Sequence, residues 1–229
     1  MGKEKSERIQ TSFLNSAEKK ALVWLAGRQP KWMTSDILTY IGVFGSVLFA
    51  VGCFLANSNV FYLWMASLGL VIHWYGDSMD GTLARVRNTQ RPVYGFFIDH
   101  TLDVVTTALI FIGVGCSPMF RMDVALFAFS GYLGLSIYTY IGMILKDEFR
   151  LTYGKLGPTE FRLLLILMCI LYMYTPWSQY TYEIGGMQFG LFDILGGIIT
   201  AILYLIYLIQ FVKDRRYFAE KDPFKPYSS

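Results

Sequence analysis

Residues Gly76–Val105 read GDSMDGTLARVRNTQRPVYGFFIDHTLDVV, and they set four aspartates and three arginines between segments apolar enough for a lipid bilayer. Charge at such a place is costly unless it is paired or functional. Its surroundings are uniformly apolar. The chain of 229 residues is 54% hydrophobic and 17% aromatic, with a mean hydropathy of +0.41, above what a soluble core of this size needs. Six apolar stretches flank or contain the charged segment: Ile37–Leu55, Val60–Tyr75, Phe96–Cys116, Val124–Leu145, Phe161–Tyr174 and Phe189–Val212. Most approach the twenty residues that cross a bilayer as a helix, and the two shorter ones gain length from their flanks. The expected fold is therefore an all-α integral membrane protein of six transmembrane helices.

Cation placement orients it. Of the 20 lysines and arginines, all but Arg121 fall in the N-terminal segment, the second and fourth connections, or the C-terminal tail. The positive-inside rule then places both termini and those connections in the cytoplasm. The net charge of +3 is an orientation signal, with no case for nucleic acid. The first 30 residues are polar and charged, so no secretory signal is expected. Domain limits follow as residues 1–33 for a cytoplasmic N-terminal segment, 34–213 for the six-helix domain and 214–229 for a cytoplasmic tail.

Within the N-terminal segment, Ser16–Arg28 mixes basic and apolar residues at roughly helical spacing, consistent with an amphipathic juxtamembrane helix on the cytoplasmic leaflet or with a charged leader that only fixes topology. Thr34, Ser35 or Asp36 is placed to cap the first crossing. Gly42, Gly45 and Gly52 offer surfaces for close helix contact. Trp24, Trp32, Trp64, Trp74 and Trp177 fall near predicted ends as interfacial anchors. In KLGPTEFR, Lys155–Arg162, glycine, proline and glutamate mark a helix start. Cys53, Cys116 and Cys169 lack ligand spacing and read as packing residues.

The aspartates form a pattern. Asp77, Asp80 and Ala84 are three and seven apart and share a helix face; Gly95, Asp99 and Asp103 repeat every four residues and share another. Two helices joined by a short connection would turn these carboxylates toward each other. Four at close range need compensating cations. Oxygen-only ligands favour hard divalent ions, Mg²⁺ or Mn²⁺, and two such ions would clamp a phosphoryl group. Gly81, Ala84 and Gly95 clear room for a ligand, and Arg85 brings a planar fork suited to phosphate oxygens.

These eight residues match the pattern D-x2-D-G-x2-A-R-x9-G-x3-D-x3-D throughout, and the chain thereby resembles the CDP-alcohol phosphotransferase family. The match spans Asp77–Asp103, and eight fixed positions are far more specific than a lone GxGxxG. The resemblance implies a phospholipid-synthesising transferase that binds two divalent ions. Asp77, Asp80, Asp99 and Asp103 would be metal ligands, with Asp103 also the general base. Gly81, Ala84, Arg85 and Gly95 would line the CDP site. The family's first helix opens with Pro-Asn-x-x-Thr; here SDILT keeps Thr39, a further candidate CDP contact, while Asp36 replaces the asparagine. The implied reaction is direct attack of an acceptor hydroxyl on the diphosphate, with release of CMP.

For the substrate, the six-helix size resembles members that take CDP-diacylglycerol and a small polar alcohol, and the reading leans that way. Asp99-His100 and RNTQRP resemble the branch that delivers the headgroup of CDP-choline or CDP-ethanolamine to diacylglycerol. Lys146, Arg150, Lys155 and Arg162 form a candidate acceptor-phosphate site, or simply enforce topology. Arg87 and Arg91 are read as topology or headgroup residues, His73 as a packing or hydrogen-bonding residue, and His100 as pointing away from the metal ligands. A homodimer is expected by resemblance. An ion transporter is the alternative from another class, since intramembrane carboxylates also mark cation pathways; it leaves the interposed glycines and arginine without a purpose.

Overall fold

The computed structural model describes residues 7–9, 15–146, 148–150 and 157–224. Helix α1 (Asn15–Ala26) precedes six longer helices: α2 (Ser35–Leu55), α3 (Leu63–Val86), α4 (Pro92–Gly115), α5 (Met122–Lys146), α6 (Pro158–Tyr174) and α7 (Leu191–Lys221). Four of these, α2, α4, α5 and α7, are long and apolar enough to cross a membrane by length and composition. The other two depart from that criterion for visible reasons. α3 has 24 residues but carries His73, Asp77, Asp80 and Arg85, whereas α6 is apolar but only 17 residues long. Two short strand pairs join the helices, β1 (Glu7–Ile9) parallel to β2 (Glu148–Arg150), and β3 (Thr181–Ile184) antiparallel to β4 (Met187–Gly190). Neither pair was foreseen from the sequence. α7 also runs past Val212, where the sixth apolar stretch ends, as far as Lys221.

Local signals set the helix ends. Thr34 caps α2 by accepting from the Ile37 N–H at 3.2 Å, and Gly157 N–H donates to Glu160 Oε2 at 3.0 Å where Pro158 opens α6. At the end of α3, Asn88 takes a left-handed φ of 54°. There the Thr89 N–H reaches the Ala84 carbonyl at 3.0 Å, satisfying a terminal acceptor in a six-to-one closure.

The seam between α2 and α3 positions everything else. In lipid, helices associate through van der Waals packing, and small residues let backbones touch. A Cβ at Gly45 would collide with the His73 backbone and lie 2.7 Å from the Gly69 carbonyl oxygen; one at Gly76 would run into the backbone of Gly42. Phe49, Leu70 and Cys53 are fully buried beside this crossing, in a core that also takes in Ile110 of α4, Leu165 and Cys169 of α6 and Phe192 of α7. A second cluster, Leu22 and Ala26 of α1 with Met33, Leu38, Met79 and Leu83, fastens α1 to the end of α3 that carries the motif. α7 packs mainly on α5, where Tyr204 stacks on Phe127 at 5.0 Å and its hydroxyl meets Ser130 at 2.8 Å.

Candidate active site

The charged stretch folds as the end of α3, a turn, and the start of α4, so the two predicted faces meet. Asp77 of α3 and Asp99 and Asp103 of α4 each offer a carboxylate oxygen, and these atoms lie within 4.8 Å of one another. Opposite ligands of an octahedral Mg²⁺ sit about 4.2 Å apart and adjacent ones about 3 Å, so small side-chain rotations would close this trio on an ion. An all-oxygen donor set suits a hard divalent cation.

Asp80 is held apart from that trio. Its Oδ2 accepts from Thr39 Oγ1 at 2.7 Å, its Oδ1 from the Gly81 N–H at 2.5 Å, and its carbonyl oxygen from Ser35 Oγ at 2.6 Å. The Thr39 bond thus draws the Asp80 carboxylate toward α2, Ser35 ties the same α3 backbone to α2, and Gly81 holds the other carboxylate oxygen within α3. Asp36 pairs with Arg91 across the α3–α4 connection. The Asp36 carboxylate, hydrogen-bonded to it, holds the Arg91 guanidinium above its ordinary range. Arg91 therefore has a carboxylate partner beside any headgroup it meets. Arg85 is exposed, donates to Thr82 Oγ1 at 2.9 Å, and lies with Nη1 3.4 Å from where a Gly81 Cβ would be. At Gly95 an added Cβ would meet nothing within 4 Å, so that side of the trio is open.

Of the four candidate acceptor cations, the structure brings one to the carboxylates. Arg162 is 8% exposed and donates to Asp77 Oδ2 at 2.5 Å. Its Nη2 also lies 3.2 Å from His73 Nε2, while His73 Nδ1 lies 3.1 Å from the Gly42 carbonyl oxygen. With Arg162 always a donor, Nε2 accepts and Nδ1 carries the proton. A buried chain thus runs from the α2 backbone through His73 and Arg162 to Asp77. Lys146 goes elsewhere, 2.5 Å from Asp214 of α7 and over the rings of Tyr217 and Phe218. Only the backbone of Arg150 is described, and Lys155 lies outside the described residues.

Other contacts were not legible in the sequence. Arg87 donates to the carbonyls of Gln29, Pro30 and Met33, so it ties down the α1–α2 connection as well as carrying charge. Trp74 is a hydrogen-bond donor to Glu18 at 2.7 Å. His100 stacks on Phe96 at 4.0 Å and keeps Nδ1 3.5 Å from Asp99 Oδ2, in touch with a carboxylate from which helical spacing turned it away. The contacts of Arg87 and Trp74 leave no sequence period, because their partners lie on other elements, whereas His100 meets Phe96 and Asp99 within α4.

The family model described as CDP-alcohol phosphatidyltransferase matches residues 32–211, from the entry to α2 into α7. The chain belongs to that family. It is an integral membrane protein of a family of transferases of phosphate-containing groups. Among relatives, cholinephosphotransferase 1 of Danio rerio is 27% identical over 209 residues, 82% of this chain and 51% of that protein. The Homo sapiens protein of the same name is 27% identical over 191 residues, 76% of this chain and 44% of its own. Phosphatidylinositol phosphate synthase of Cutibacterium acnes is 38% identical over 84 residues, 36% of this chain and 37% of that protein. The chain spans about half the length of the cholinephosphotransferases it matches.

Proposed function

We propose that this chain is a six-crossing, metal-dependent CDP-alcohol phosphotransferase of phospholipid synthesis, with its site and both termini on the cytoplasmic face. The observation that supports it most is the trio Asp77, Asp99 and Asp103 within 4.8 Å, open on the Gly95 side. Asp77, Asp80, Asp99 and Asp103 would hold two divalent ions, Mg²⁺ or Mn²⁺. When bound, these ions supply positive charge against the diphosphate and the charge that develops on it. Gly81, Ala84 and Gly95 leave room for the nucleotide, and Arg85 and Thr39 contact it or its ligands. Asp103 accepts the proton of the acceptor hydroxyl. The hydroxyl oxygen bonds to the phosphorus remote from cytidine as that phosphorus loses its bridging oxygen, which leaves on CMP. Association as a homodimer belongs to the same reading by family resemblance.

For the donor, a CDP-aminoalcohol has the broader support. The resemblance to cholinephosphotransferases runs over 82% of the chain, and the His100 ring lies beside the Asp99 carboxylate. Lys146 is already committed to Asp214, which leaves a smaller cationic cluster for a phosphorylated acceptor. CDP-diacylglycerol with a small polar alcohol is the second reading, favoured by the 38% identity to phosphatidylinositol phosphate synthase. Purified protein given radiolabelled CDP-choline, CDP-ethanolamine and CDP-diacylglycerol in turn, with diacylglycerol or a panel of small alcohols, tests this. CMP release is expected with one donor class and only with added Mg²⁺ or Mn²⁺. Cation flux into vesicles without CMP release from any donor would replace the enzyme with a transporter.

A further inference from the structure

Glu18 lies on α1, outside the region the family model matches. Its Oε1 accepts three hydrogen bonds: from Trp74 Nε1 at 2.7 Å, Thr159 Oγ1 at 2.8 Å and Ser78 Oγ at 3.4 Å. Trp74 and Ser78 belong to α3 and bracket Asp77, one three residues before it and the other directly after. Thr159 belongs to α6 and precedes Arg162 by three residues. One carboxylate oxygen therefore stitches together the ends of the two helices whose side chains meet as Arg162 and Asp77 at 2.5 Å. An ionised oxygen accepts such bonds more strongly than a neutral one, and aspartate, a methylene shorter, would not span the same donors.

The rest of α1 holds Glu18 in place. Leu22 and Ala26 are buried against Met79 and Leu83, and Gln29 Nε2 donates to Tyr75 Oη at 2.8 Å. Lys19, Lys20 and Trp24 point outward, with Trp24 57% exposed. One face of α1 is thus free for a lipid surface while the other braces the motif helix. We infer that Glu18 is a positioning residue for the divalent-cation site, setting the distance between α3 and α6 and, through Arg162, the orientation of the Asp77 carboxylate. This rests on the proposed metal-dependent reading of the aspartate trio.

The test is Mn²⁺ binding to the purified full chain, followed by the loss of the free-ion electron paramagnetic resonance signal, so that no turnover is required. Residues that orient metal ligands typically change affinity by about 10- to 100-fold when altered. Glu18→Leu is expected to raise the half-saturating Mn²⁺ at least about tenfold, and Glu18→Gln, whose amide oxygen still accepts from all three donors, to stay close to the unsubstituted protein. Loss of stability alone would lower the number of competent molecules without moving the affinity of those that remain. Should Glu18→Leu fail to fold, Trp74→Phe and Thr159→Val each remove one donor, and each is expected to shift affinity in the same direction by less. Unsubstituted protein that binds Mn²⁺ while folded Glu18→Leu, or both single-donor variants, bind it equally well would overturn the role of Glu18 alone. Unsubstituted protein that binds no Mn²⁺ would overturn this role together with the metal-centre reading beneath it.

Discussion

Asp103 lies one helical turn beyond Asp99 and belongs to the same trio, and the proposed reaction gives it the proton of the acceptor hydroxyl. Asp103→Asn keeps the shape and removes the acceptor charge. The expected result is a protein that purifies with an unchanged thermal transition and loses about 10²- to 10⁴-fold in CMP release. Arg162 makes a different prediction, because it is buried and its partner is charged. Replacing one member of a buried ion pair costs about 3–5 kcal/mol, since the survivor keeps its charge without compensation. Arg162→Leu should therefore lower the melting temperature in chelator, and Mn²⁺ should recover part of that loss by supplying Asp77 with another cation. Both effects can be read in one thermal-shift series. At this scale the sequence was legible where identity and spacing carried the information. Asp77, Asp99 and Asp103 were found because they repeat on helix faces in an apolar setting. The bond between Glu18 and Thr159, 141 residues apart in the chain, leaves no such trace.

Helices α2 and α3 owe their contact to glycine, so their tolerance to substitution is narrow. A methyl at Gly45 presses on the backbone of His73, and His73 in turn holds Arg162. Gly45→Ala should cost about 1–3 kcal/mol by overpacking and should reduce activity as well, because the wedge is transmitted to Asp77; Gly45→Leu should not accumulate as folded protein. Yield in detergent and CMP release per folded molecule separate the two effects. Asn88 offers a contrast at the end of α3, where the left-handed backbone is needed only to close the helix. Asn88→Gly should be neutral or slightly stabilising, and Asn88→Val should cost about 1–2 kcal/mol, measured as a shift in the thermal transition. The glycines of α2 could be marked in advance as contact points. Their partners could not, because register between helices is a property of two segments and the sequence presents them one at a time.

Across the whole molecule, the N-terminal helix, the α3–α4 turn and the start of α6 gather at one end of the bundle, joined by the contacts of Glu18, Arg87 and Arg91. The β3–β4 hairpin and Arg121 gather at the other, where Arg121 bonds Gln188 and Asp123. If the first end faces the cytoplasm, as cation placement leads one to expect, single cysteines placed in a chain without Cys53, Cys116 and Cys169 should report it. Thr89→Cys in inside-out vesicles and Glu183→Cys in right-side-out vesicles should each react with an impermeant maleimide, and neither should react in the opposite preparation. Six long helices were readable from hydropathy, four of them long and apolar enough to cross a membrane. The limits that moved most were the C-terminal ends of the second and sixth apolar stretches, since α3 runs on from Tyr75 through the charged motif to Val86 and α7 runs on from Val212 to Lys221.

The glycine-lined contact of α2 with α3 also restricts traffic. Where two backbones meet with no side chain between them, there is no slot for a methylene chain. A hydrocarbon tail in the bilayer is therefore kept out of that seam, whereas Val93 and Phe97 of α4 leave exposed apolar surface that it would wet.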